Sequence, residues 1–183
     1  MAAPATLCQE ERGHRHIMET AQSSPVPAKG QKPTLADIGW LASYSARGLG
    51  ELFRARLIFR NFKASDIPLR NRAAANAGRP TSASGQPVEA ATLARIRYVI
   101  PRLSDRLPWR SDCLIQAIAA QNWLCSLGVQ SEIQIGVEKP EDGEFGAHAW
   151  LMSGGEIITG GDIAQYDVIL SESRLKGDSG TKD

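Results

Sequence analysis

Apolar residues recur along this chain with two different periods, and the change between them falls near Gly128. Before it, the spacing is helical. Thr34-x-x-Asp37 reads as a capping-box variant that opens a helix with Leu35, Ile38, Leu41 and Ala42 on one face, ended or interrupted by Gly48 and Gly50. A second amphipathic segment, Glu51 to Phe62, places Leu52, Phe53, Leu57 and Ile58 on one stripe, with Arg54, Arg56, Arg60 and Lys63 mostly off it. That stripe is expected to be ordinary core. Ile67-Pro68 is expected to stop any helix, and the Ala, Asn, Gly, Ser and Pro-rich stretch from Asn71 to Pro87 reads as a long loop or hinge. A third helix is predicted from about Val88 to Leu103, with Leu93, Ile96, Ile100 and Leu103 at helical spacing. Leu107-Pro108-Trp109 ends it, and a fourth helix runs from Cys113 to about Leu127, closed by Gly128.

After Gly128 the pattern alternates. Val129, Ser131, Ile133, Ile135 and Val137 share one face of a predicted strand, and a polar turn from Lys139 to Glu144 follows. The next strand points Phe145, Ala147, Ala149 and Leu151 to one side and His148, Trp150 and Met152 to the other. Gly154-Gly155 makes a hairpin turn, Glu156 to Thr159 returns, and Tyr166 to Leu170 forms a final short strand. Helices followed by antiparallel strands define an α+β chain. Residues 1–32, rich in Pro, Ala, Gln, Ser and charge, are expected to be a disordered tail, and residues 172–183 a flexible end. Between them lie a helical region, 33–105, containing the 71–87 loop, and a core, 106–171.

Composition narrows the setting. A 42% hydrophobic fraction over 183 residues suits a globular chain. The net charge of +1 gives no overall drive toward nucleic acid or membrane. Locally, Ser45 to Arg110 carries thirteen Lys or Arg against four Asp or Glu, a surplus able to hold an acidic peptide but equally that of a solvated helix surface. Three cysteines, Cys8, Cys113 and Cys125, argue against a disulfide framework and for a reducing compartment. The N-terminus lacks an apolar signal core, no apolar run reaches the length of a membrane span, and a cytoplasmic location is expected. Cys8, His14 and His16 fit no common zinc spacing, and no cofactor is expected.

Two residues carry candidate chemistry. Cys113 follows Ser111 and Asp112, both good helix N-caps, so its sulfur falls in a first turn beside unpaired backbone N–H groups that stabilise negative charge. His148 lies 35 residues later among apolar neighbours in a half-buried strand. The pair reads as nucleophile and base, against the plainer possibility of a packed core cysteine. Cys125 is twelve residues beyond Cys113 and so about 120° around the helix, which weakens any zinc site built from both. Trp109 and Trp150 are either groove-lining or simply packed.

The wording around these two residues is more specific. DCLIQAIAAQNWLCSLGVQSEIQIGVEK followed by FGAHAWLMSGGEIITGG resembles the C-terminal domain of the leader peptidases of lasso-peptide biosynthesis. The likeness rests on Cys113, Leu114, Ala117, Leu124, Gly128, Ile135, Gly136, Val137, Ala147, His148, Ala149, Trp150 and Gly155, about a third of the chain. It implies a transglutaminase-like or papain-like core in which the cysteine helix packs on an antiparallel sheet. It implies Cys113 as nucleophile and His148 as general base and acid. In those enzymes an Asp follows the histidine hairpin; here Gly160 falls at that place. Asp162, two residues on, is the nearest carboxylate and the candidate for orienting His148, with Asp167 or a backbone carbonyl as alternatives.

The implied function is a cysteine peptidase that cuts the leader from a ribosomally made precursor peptide before an ATP-dependent cyclase closes the ring. Nothing ahead of Leu35 has the strand pattern of a leader-recognition domain, so a separate recognition protein is expected to deliver the substrate to the 35–103 region. The rival readings are a transglutaminase-like acyl transferase and a non-catalytic peptide-binding scaffold.

Overall fold

A computed structural model describes residues 26–27, 34–61, 63–77, 90–109, 111–138 and 146–171. Apart from residues 26–27, the expected tails lie outside the described residues, as do the 139–144 turn, Cys8, His14 and His16. The chain forms helix α1 (Leu35–Phe59), a short 3-10 turn (Ala64–Asp66), α2 (Ile67–Ala77), α3 (Ala90–Ser104) and α4 (Cys113–Ser126). Four strands follow, β1 (Glu132–Glu138), β2 (Gly146–Ser153), β3 (Glu156–Thr159) and β4 (Asp167–Leu170). The sheet is antiparallel throughout, in the order β3-β2-β1-β4. The α+β architecture read from the two periods is the one found.

The capping box at the start of α1 forms in full. Thr34 donates through its N–H (2.8 Å) and hydroxyl (2.7 Å) to Asp37 Oδ2, and Asp37 N–H donates to Thr34 Oγ1 at 3.3 Å. These Thr34 hydrogen bonds, side chain first, and one from the Trp40 indole hold the Asp37 carboxyl below its ordinary range. A depressed carboxyl stabilises the fold above its unfolded-state value and loses that contribution as pH falls through the folded-state value. Between about pH 5 and about pH 3, wild type is expected to lose more melting temperature than Asp37→Asn, which lacks the titrating group.

Two expectations about the helices are corrected. Gly48 and Gly50 do not break α1, because a glycine inside a helix costs only about 1 kcal/mol relative to alanine and Gly48 is packed. A Cβ there would lie 3.0 Å from Leu103 Cδ1 and 3.2 Å from Val99 Cγ1, so the glycine lets α1 and α3 approach closely. Ile67-Pro68 opens α2 rather than stopping a helix, since a first-turn N–H needs no partner within the helix. Residues 71–77, expected in a loop, belong to that helix; 78–87 lie outside the described residues. The apolar stripe of α1 also splits. Leu52 and Ala55 are fully buried, whereas Leu35, Ile38, Leu49, Phe53 and Leu57 stay exposed.

Helix α4 is the centre of the molecule. Ile115, Ala117, Ile118, Ala119, Ala120, Trp123 and Leu124 are buried, against α1 and α3 on one side and Ile133, Leu151 and Ile158 of the sheet on the other. Its end is a Schellman motif: Val129 N–H reaches Leu124 O at 2.9 Å and Gly128 N–H reaches Cys125 O at 3.1 Å. Gly128 supplies the left-handed φ of 70°. Arg47 of α1 bonds Ser126 and covers the Trp123 ring, and Arg70 of α2 bonds Asn122.

The buried Asn71 side chain acts as a one-residue strand. Its Nδ2 donates to Ile133 O (2.9 Å), and its Oδ1 accepts from Ile133 N–H (2.9 Å) and Gln121 Nε2 (3.1 Å), tying α2, α4 and β1. Asn71→Ala leaves both backbone groups of Ile133 buried and unpaired, at an expected loss of about 2–3 kcal/mol. The check is a lower urea midpoint with unchanged slope.

Candidate active site

Cys113 is the first residue of α4, and its N-cap, Asp112, makes no side-chain capping bond to the helix. The Cys113 side chain meets the sheet. It accepts a hydrogen bond from the Ala149 N–H of β2 at 3.4 Å. That N–H is spent on sulfur because the pairing of β2 with β3 ends at Leu151–Thr159, one turn of the ladder short of Ala149. The start of α4 fills the edge that β3 vacates. The structure thus brings Cys113 to the Ala149 main chain, next in sequence to His148, whose ring packs with Trp150 and Tyr166.

The register of β1 and β2 sorts the strand faces. Ile133 pairs with Leu151 and Ile135 with Ala149, facing the helices; Gln134 pairs with Trp150 and Gly136 with His148, on the reverse face. The alternation read from the sequence is found. The reverse face is covered by the segment leaving β3. Gly160 and Gly161, with φ of 114° and 67°, turn the chain back across Trp150, which is fully buried. The Gly160 carbonyl then lies 2.7 Å from His148 Nε2.

A carbonyl can only accept, so Nε2 carries the proton and a neutral ring keeps its lone pair on Nδ1. The Tyr166 ring stacks on the imidazole at 4.8 Å and Trp150 flanks it at 6.1 Å. Trp150 is in turn fixed by its indole N–H to Gln134 Oε1 at 3.0 Å. Gly136 makes room for this cluster, since a Cβ would lie 2.7 Å from Trp150 Cη2 and 2.9 Å from Tyr166 Cβ.

Asp162 is exposed, and its Oδ1 accepts from Ala164 N–H at 3.0 Å, an Asx turn that carries the chain toward Tyr166. Asp167 is exposed at the start of β4, opposite Val137. The group set against His148 is a main-chain carbonyl at the position where the resemblance calls for an Asp. Tyr166 was not singled out by sequence reasoning. A single Tyr before a short strand gives no sign of stacking, which depends on how the Gly160-Gly161 turn folds over β2.

Cys125 lies far along α4. Burial pushes its thiol up, the nearby Arg70 charge only partly offsetting this. Among the described residues, no three His, Cys, Asp or Glu side chains are grouped as metal ligands, and no helix is long and apolar enough to cross a membrane.

The first residue of α4, Cys113, thus lies against the antiparallel strand that carries His148. The family model of the Transglutaminase-like superfamily matches residues 52–171, more than half of the chain, and the chain belongs to that superfamily. Its members are commonly cysteine hydrolases or transferases. The match begins within α1 and ends after β4, so it takes in Cys113, His148 and the segment over Trp150. No curated protein and no solved structure matches the chain.

Proposed function

We propose that this protein is a cysteine peptidase that removes the leader from a ribosomally made lasso-peptide precursor. A separate leader-recognition protein delivers the substrate, and an ATP-dependent cyclase then closes the ring. The observation that carries the reading is Cys113 Sγ set against the Ala149 N–H while the neighbouring His148 is pinned by the Gly160 carbonyl. The Cys-Leu-x-x-Ala helix and Ala-His-Ala-Trp strand support the finer assignment.

In this mechanism the Cys113 sulfur gives its proton to His148 Nδ1 and adds to the carbonyl at the leader–core junction, forming a C–S bond. Main-chain N–H groups of the first turn of α4 steady the oxyanion. The C–N bond then breaks as His148 returns the proton to the departing core amine. Water, deprotonated by His148, splits the thioester, frees the leader as a carboxylic acid and restores the thiol. Gly160 acts as a positioning residue through its carbonyl, and Asp162 has no step assigned.

Membership of the superfamily favours one second reading, acyl transfer to an amine through the same thioester. Product masses separate the two. Incubation of precursor, recognition protein and enzyme is expected to give a leader heavier by one water than its acyl portion; a leader joined to an added amine would mean transfer.

A further inference from the structure

The C-terminal half of α1 exposes a line of large apolar side chains. Leu49, Phe53 and Leu57 are 41%, 54% and 48% exposed, and their spacing of four residues sets them along one face. A core stripe would be buried, as Leu52 and Ala55 of the same helix are. The border of this line is basic. At about 100° per residue, Arg60 and Arg56 lie about 20° and 60° from Phe53 on one side and Arg54 about 100° on the other; Glu51 is about 160° away. The line also leads to the candidate active site. The Phe53 ring meets Trp109 edge-on at 6.3 Å, and Trp109 stands in the segment that enters α4 four residues before Cys113.

We infer that Leu49, Phe53 and Leu57, with Arg54 and Arg60, seat an acidic amphipathic segment of the substrate peptide, which then runs past Trp109 toward Cys113. The charge of the border selects carboxylates, and the i, i+4, i+8 line matches apolar residues at helical spacing in the ligand. A membrane surface fits less well. Three large apolar side chains with a few cations fall short of the roughly four to eight Lys or Arg and broad apolar face of a membrane-binding helix. The seat rests on the peptidase reading only for the direction in which the bound segment runs.

The test uses the full-length protein and two synthetic peptides. One has Leu and Phe at positions i, i+4 and i+8 with Glu between them; the other has Lys for each Glu. Each is made as a fluorescent form and as a form ending in a bromoacetyl group on linkers of graded length. The acidic peptide is expected to bind at least about tenfold more tightly than the basic one. Phe53→Ser with Leu57→Ser, or Arg54→Glu with Arg60→Glu, should remove that preference while melting stays near wild type, since all four side chains are exposed. The acidic bromoacetyl peptide should alkylate Cys113 faster than free bromoacetamide of equal concentration, with Cys125 unmodified.

Equal binding of both peptides, no binding, or protein that sediments with phosphatidylserine vesicles in a Phe53-dependent manner would overturn the seat. If Cys113 reacts with bromoacetamide but gains nothing from the peptide, the run toward Cys113 is wrong and the peptidase reading stands. Selective, Phe53-dependent binding with a Cys113 inert to every reagent supports the seat and removes the peptidase reading.

Discussion

Replacing His148 with alanine is expected to lower precursor turnover by about 10²- to 10⁴-fold, the usual contribution of a positioned acid–base group. His148 is half-buried, and its ring touches Tyr166, Trp150 and one carbonyl, so the variant should still fold. Its loss in melting temperature should not exceed that of Tyr166→Ala, which uncovers the same ring while leaving its nitrogens in place. The comparison separates chemistry from packing. Tyr166→Ala should retain far more turnover than His148→Ala. Equal turnover in wild type and His148→Ala would remove the histidine from the mechanism.

Gly160→Ala should be the most disruptive Gly→Ala change among the described residues. A Cβ at Gly160 would lie 2.3 Å from Trp150 Cβ and 3.0 Å from Trp150 Cα, and the residue sits at a φ of 114°. Trp150 has no space to yield because it is fully buried, with its indole held by Gln134. The strained φ and the overlap with main-chain atoms together put the expected cost at about 3 kcal/mol or more. Turnover should fall further than the folded fraction does, because the carbonyl that fixes the His148 tautomer moves with the residue. The control is Gly161→Ala, whose Cβ would meet open space, so only the cost of a positive φ applies, about 1–2 kcal/mol. A chemical-denaturation curve for each variant, with turnover measured where both are folded, checks the difference. The same overlap means that Gly160→Asp cannot supply a carboxylate at this position without displacing Trp150.

What could be read from the sequence follows from how local each signal is. The α4 helix, its glycine stop and the β2–β3 hairpin are written in neighbouring residues; Cys113 stands out by following two N-cap residues and His148 by its apolar neighbours. The alternation of β2 also fixed which side His148 shares with Trp150. Glycines misled where they serve long-range packing: Gly48 read as a stop because Leu103 and Val99, which it accommodates, are some fifty residues away. Pro68 misled because its effect depends on where the helix begins. Phe53 and Leu57 read as core because periodicity shows that a face is apolar without showing whether another element covers it. The group opposite His148 was hidden for another reason. Every residue has a carbonyl, so a main-chain acceptor leaves no residue-type signature, while Asp162 two positions away offers a conspicuous one.

The central claim is that Cys113 is the nucleophile of a peptide-cleaving reaction. The most direct measurement is the intact mass of precursor after incubation with its recognition protein and either wild type, Cys113→Ala or Cys125→Ala. Loss of a leader-sized mass with wild type and Cys125→Ala, and none with Cys113→Ala, is the predicted result. Cleavage that persists in Cys113→Ala, or a precursor left whole by wild type while Cys113 resists every thiol reagent, would contradict it.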